Sequence, residues 1–185
     1  MKWVICSDIF GVTTRLTQWL SGLFEQQLPL VMSAHPDNAT FCDETLAYQA
    51  FVQQGGVERY VARLRDALVA CKEPVTLLGF SAGGAAAWHM TTHGRPACVE
   101  RVITYYPGQI RHALDICPQV PCDVVFAHRE RHFDQQAVIG HLARYPQVNV
   151  RSQTAPHGFM NPLSGGYDAV AAQQESEWLV EMIQR

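Results

Sequence analysis

Six short apolar runs alternate with helical periodicities along the chain: KWVICSD (2–8), LPLVMSA (28–34), PVTLLGF (74–80), VERVITYYP (99–107), PCDVVFAH (121–128) and QVNVRSQ (147–153). After the first run, Leu16, Trp19, Leu20, Leu23 and Phe24 fall at i, i+3, i+4, i+7 and i+8, one apolar stripe on a helix. Val57, Tyr60, Val61, Leu64 and Leu68 repeat the pattern before the third run, and Trp178, Leu179, Met182 and Ile183 mark a last helix. Strands joined through helices cannot pair as hairpins; they pair in parallel, with the crossover helices covering both faces of the sheet. The expected architecture is a three-layer α/β/α domain over residues 1–185, around a mostly parallel six-stranded sheet in the order 2-1-3-4-5-6.

In a sheet of that kind ligands sit beyond the carboxyl ends of the strands, where the strand order reverses. The longest irregular stretches, 35–45, 107–120 and 152–167, follow strands two, four and six and belong to that rim. Composition narrows the chemistry further. A formal charge of −3 and 17% charged residues leave no basic face for nucleic acid, and no apolar run reaches the ~18 residues of a membrane span. The six cysteines form no CxxC pair and follow no secretory leader, which reads as reduced thiols in a cytoplasmic protein. Oligomeric state is not legible.

The third run leads directly into GFSAGGAAAWHM, where Gly79, Ser81 and Gly83 fit G-x-S-x-G. That turn holds a serine above the sheet, and its flanking positions must be small because strand and helix fold closely against each other. A serine hydroxyl is a poor nucleophile until a base takes its proton, and the base needs an acceptor on its other nitrogen. The chain order for such a fold is serine, acid, histidine, so both partners lie downstream.

Two carboxylates follow the fifth run in AHRERHFDQQAV, Glu130 and Asp134. Asp134 stands immediately before a helical pattern and has a sufficient role as its N-cap. Glu130 has no such occupation and a longer reach, so it is favoured, with Asp123 and Asp115 behind both. Of the histidines, His157 lies in APHGFMNPLSGGYD after the sixth run, where Pro156 stiffens the approach, Gly158 allows an unusual backbone angle and Phe159 anchors the loop. His89 and His93, read as one helix pair, and His128 and His132 have the spacing of metal ligands but lack a third, so no metal is expected. His35, His112 and His141 read as solvated positions. Oxyanion donors are expected at the backbone N–H of Ala82, just after the serine, and of Ile9 in SDIFG, with Phe10 the runner-up.

SDIFGVTTRL after the first strand, GFSAGGAAAW at the elbow, and HGFMNP with YDAVAAQQ before the last helix together resemble the dienelactone hydrolase family, a compact branch of the α/β-hydrolases. The resemblance runs along nearly the whole chain. It implies cleavage of small esters, lactones or thioesters by a nucleophile, a histidine and an acid, with no cofactor. That family typically carries cysteine and aspartate where this chain offers Ser81 and Glu130, making it a divergent member. Asp8 stands where the family has glutamate, and the resemblance implies that it contacts the nucleophile's hydroxyl. Asn161 occupies the place of an arginine that holds a substrate carboxylate, which argues against dienelactone itself as substrate. The chain starts at the family's third strand, so the sheet should be a trimmed version of the hydrolase sheet.

The expectation is a serine hydrolase for a small-molecule ester or lactone, with a pocket lined by Asp8, Phe10, Trp88, Tyr106 and Phe159. A non-catalytic binding domain on the same fold and an acyltransferase or peptidase using the same residues are the alternatives.

Overall fold

A computed structural model describes residues 2–25, 28–130 and 133–184. Six strands, β1 (Lys2–Cys6), β2 (Leu30–Met32), β3 (Val75–Phe80), β4 (Val99–Tyr105), β5 (Cys122–Phe126) and β6 (Val148–Ser152), form one sheet in the order β2-β1-β3-β4-β5-β6. Every neighbouring pair is parallel. This is the predicted order, with the reversal between β1 and β3. β2 is shorter than its apolar run, starting only after Pro29, and β4 stops at Tyr105.

The connecting helices are α1 (Thr14–Leu23), α2 (Glu44–Gln53), α3 (Gly56–Val69), α4 (Ala82–His89), α5 (Gln135–Leu142) and α6 (Ala169–Ile183), with a short 3-10 turn at Gly108–His112. Side chains alternate across each strand, and the core divides accordingly. Leu77 and Val75 pack on one face with Tyr60, Leu64 and Leu68 of α3 and Trp88 of α4. Leu78 and Phe80 pack on the other with Leu20 of α1 and Leu179 of α6. β3 is buried at every position, as the central strand of a sheet covered on both faces must be.

Helix starts follow the sequence closely. Thr13, Asp43, Asp134 and Asp168 each accept a backbone N–H of the first turn of the helix that follows. α2 buries only Ala47 and Phe51, too narrow a stripe to show in the apolar pattern. α4 ends at His89, so His93 lies beyond the helix and is exposed; the two do not form the helical pair expected. His132 lies outside the described residues, and among those described no group of three or more His, Cys, Asp or Glu is placed to hold a metal ion. No helix among them is long and apolar enough to cross a membrane.

Candidate active site

β3 delivers Ser81 to the carboxyl edge of the sheet. Its backbone takes φ 48° and ψ −111°, a conformation L-residues rarely adopt, and its N–H is tied to Tyr105 O at 2.9 Å. The turn closes so tightly that a Cβ on Gly83 would collide with the carbonyl oxygens of Cys6 and Ser7, which is why the residue two past the serine must be glycine. Strain of this kind persists only where surrounding structure overdetermines it.

Ser81 Oγ lies 3.0 Å from His157 Nε2, and His157 Nδ1 lies 2.6 Å from Glu130 Oε1. Three side chains from three loops thus form one hydrogen-bonded chain. Each is held from behind. Gly158, at φ 83°, turns the backbone beside the imidazole, while Phe159 is fully buried against Tyr105 and Tyr106. The Tyr106 ring stands 5.0 Å from the imidazole, centroid to centroid. Glu130 is fixed through Gln135, whose Oε1 accepts Glu130 N at 3.0 Å and whose Nε2 donates to Ala127 O at 2.7 Å. His128 N donates to Ala155 O at 2.8 Å and ties the acid's loop to the histidine's. The glutamate side chain is only 8% exposed, against 34% for the imidazole, so the acceptor is shielded while the ring keeps access to the site.

The other carboxylates have different occupations. Asp134 caps α5, and Asp123 pairs with Arg101 at 2.6 Å and accepts from Asn149 at 2.9 Å. Asp8 is buried beside the site but does not reach for the serine. Its Oδ1 accepts Phe10 N at 3.0 Å and its Oδ2 accepts Asn161 Nδ2 at 2.7 Å. Burial pushes its carboxyl up to about 6, against the two hydrogen bonds, which pull the other way. Asn161, at the position where the resemblance lacked its arginine, therefore joins the loop after β6 to the turn after β1.

Of the two backbone donors expected, Ala82 N–H opens α4 and Ile9 N–H lies in the turn after β1; among the described residues neither has a protein acceptor. Phe10 N–H, the runner-up, is occupied by Asp8.

A cavity of about 270 Å³ adjoins this cluster, lined by Asp8, Leu16, Trp19, Phe80, Tyr106 and Met160 among others. Three expected lining residues are absent from it. Trp88 is fully buried in the α3–α4 core, where its Nε1 donates to Ala113 O at 2.9 Å, because the elbow helix turns that face away from the rim. Phe159 lies beneath Tyr106 as an anchor rather than a wall, and Phe10 is buried with its carbonyl accepting Phe41 N. Sequence reasoning missed Leu16, Trp19 and Met160 as walls. The first two belong to a helix stripe that reads as core, and α1 turns part of it toward the rim. A larger cavity of about 980 Å³ is lined by Lys2, Leu30 and Val75 at the amino ends of their strands, the edge opposite Ser81.

Two of the histidines read as solvated are engaged. His35 is fully buried, with Nε2 2.6 Å from Ile9 O and Nδ1 2.9 Å from Gln54 Oε1. The loop after β2 folds under the β1 turn, and nothing in its local composition signals that. His141 is half-buried with Nε2 2.8 Å from Leu114 O, whereas His112 is exposed as expected.

Comparison with known proteins agrees with this architecture. The crystal structure of a candidate dienelactone hydrolase from Klebsiella pneumoniae superposes with a TM-score of 0.75 at 14% identity, over 97% of this chain and 84% of that one. A dienelactone hydrolase-like promiscuous phosphotriesterase from metagenomic libraries gives 0.71 at 21%, over 99% and 85%. Dienelactone hydrolase from Anabaena variabilis gives 0.60 at 18%, over 98% and 86%. No curated protein matches the sequence. At these identities the likeness concerns the fold, while the family is given by the sequence itself. The dienelactone hydrolase family matches residues 4–185, and the chain belongs to that family of α/β-hydrolases.

Proposed function

We propose that this protein is a serine hydrolase that cleaves small ester, lactone or thioester bonds. The observation that carries the reading is the continuous chain from Ser81 Oγ through His157 to Glu130, with links of 3.0 and 2.6 Å. In the first half-reaction His157 Nε2 takes the Ser81 proton as Oγ attacks the acyl carbon. The imidazolium then protonates the leaving alkoxide or thiolate. Glu130 accepts the Nδ1 hydrogen throughout, which holds the ring in the correct tautomer and stabilises its charge. The Ile9 and Ala82 N–H groups receive the oxyanion of the tetrahedral intermediate. In the second half-reaction His157 activates a water that releases the acid product and restores the serine. No step calls for a metal or organic cofactor.

The adjoining cavity, at about 270 Å³, lies just below the roughly 300–1,000 Å³ of pockets that take drug-sized ligands. Its aromatic and thioether walls fit a short apolar acyl or alkyl group. The six cysteines are all free thiols, which fits a cytoplasmic setting. The test is hydrolysis of p-nitrophenyl acetate by the wild type and by Ser81→Ala. Turnover in the wild type and its loss in the variant support the proposal; equal rates overturn it.

A further inference from the structure

We propose that His35 is a positioning residue for the oxyanion site, holding from inside the protein the turn that presents the Ile9 N–H. The inference rests on the reading of that N–H as an oxyanion donor.

Two consecutive peptide groups make up the turn, and a planar trans peptide points its C=O and N–H in opposite directions. The Asp8–Ile9 peptide has its carbonyl end fixed, because Asp8 O accepts from Ser7 Oγ at 3.0 Å and from Gly11 N at 3.1 Å. Its other end is the Ile9 N–H. The Ile9–Phe10 peptide is clamped at both ends: its N–H donates to Asp8 Oδ1 at 3.0 Å, and its carbonyl lies 2.6 Å from His35 Nε2. A carbonyl oxygen only accepts, so Nε2 is the donor. With its two ends bonded to different elements, this peptide cannot rotate about the chain, and the preceding N–H cannot swing with it.

The histidine is itself held. It is fully buried, and its Nδ1 sits 2.9 Å from the Gln54 side-chain amide. The Phe41 ring is tilted against it at 4.8 Å and the Phe51 ring meets it edge-on at 6.4 Å. A buried histidine with both nitrogens engaged is ordinarily a packing residue. The bond to the carbonyl of the peptide that follows the donor gives this one a consequence for chemistry. The oxyanion is absent from the bound ester and forms only on the way to the tetrahedral intermediate, so a loosened donor lowers kcat and leaves ground-state binding intact.

The experiment compares His35→Phe, His35→Gln and Gln54→Met with the wild type and Ser81→Ala. It measures kcat and KM for p-nitrophenyl acetate, and Ki for a trifluoromethyl ketone whose serine adduct carries an oxyanion. In His35→Phe, kcat should fall about 10- to 100-fold, below the loss for deleting a donor, with Ki rising in parallel and KM unchanged. His35→Gln, whose amide nitrogen replaces Nε2 as donor, should recover most of both, and Gln54→Met should show a smaller loss of the same kind. A folded His35→Phe with wild-type kcat and Ki overturns the proposal. If His35→Phe does not fold, Gln54→Met decides: parallel changes in kcat and Ki support the proposal, and none overturns it. A Ser81→Ala rate equal to wild type overturns the serine reading and this inference with it, whereas Ser81-dependent turnover indifferent to His35 overturns this inference alone.

Discussion

Glu130 and His157 meet through a single 2.6 Å hydrogen bond, Oε1 to Nδ1, although they stand on different loops. Asp134, on the same loop as the glutamate, is spent instead as the cap of α5. The two acids should therefore separate cleanly on mutation. Glu130→Gln keeps the shape but presents an amide to Nδ1, and kcat for ester hydrolysis should fall about 10²- to 10⁴-fold through the wrong tautomer. Asp134→Ala should keep its activity and lose about 1 kcal/mol of stability, the usual cost of an N-cap. Steady-state kinetics and urea denaturation of both variants check the assignment; the reverse pattern would hand the role to Asp134.

Asp8 supplies a pH signature. Its carboxyl is pushed up to about 6 by burial, so the folded state holds a proton that the unfolded chain, with an ordinary aspartate, releases near pH 4. Between those values the native state binds more protons, and stability must fall as pH rises from about 4 to about 6. Below the lower value both states are protonated and above the upper value both are ionised, so the slope is confined to that window. Asp8→Asn should remove this contribution. Thermal melts of the two proteins across the window should converge toward its acid end and separate toward its upper end, the wild type losing ground.

Glu175 lies in the middle of α6 and is 2% exposed, yet it is fully engaged. It receives Arg151 at 2.9 and 3.2 Å, Tyr105 Oη at 2.9 Å and Gln153 at 2.6 Å. Glu175→Ala would leave the arginine and the tyrosine hydroxyl without their acceptor and should cost about 3–5 kcal/mol. Denaturant unfolding gives the number directly, and a loss under 1 kcal/mol would show that water replaces the carboxylate freely.

The sheet order was legible because most strands are short apolar runs and most crossovers hold a recognisable helix, both local patterns, although β4 and β5 are joined through only the 3-10 turn Gly108–His112. Ser81 was legible because its turn imposes glycine on either side, and His157 because of its unusual loop. What escaped were contacts between segments far apart in the chain. Glu175 looks like any polar residue of a terminal helix until Arg151 from β6 is placed beneath it. His35 looks like a loop residue until the β1 turn closes over it, and Asn161 reads as a missing arginine until Asp8 is seen to accept its amide. Trp88 failed in the other direction: an aromatic near the elbow suggested a pocket wall, but the small residues of α4 pull that helix into the core and carry the indole with it. Leu16 and Trp19 were legible as a helix stripe but not as walls, since periodicity says which face is apolar and not what lies opposite.

Activation of Ser81 by His157 and Glu130 is read most directly by covalent labelling with a fluorophosphonate, followed by mass spectrometry of the digested protein. Only a serine whose proton is taken by a neighbouring base attacks phosphorus at a useful rate. One adduct is expected, on the peptide carrying Ser81, formed much more slowly in His157→Gln and in Glu130→Gln. No adduct at Ser81, or one that forms as fast in both variants as in the wild type, would contradict it.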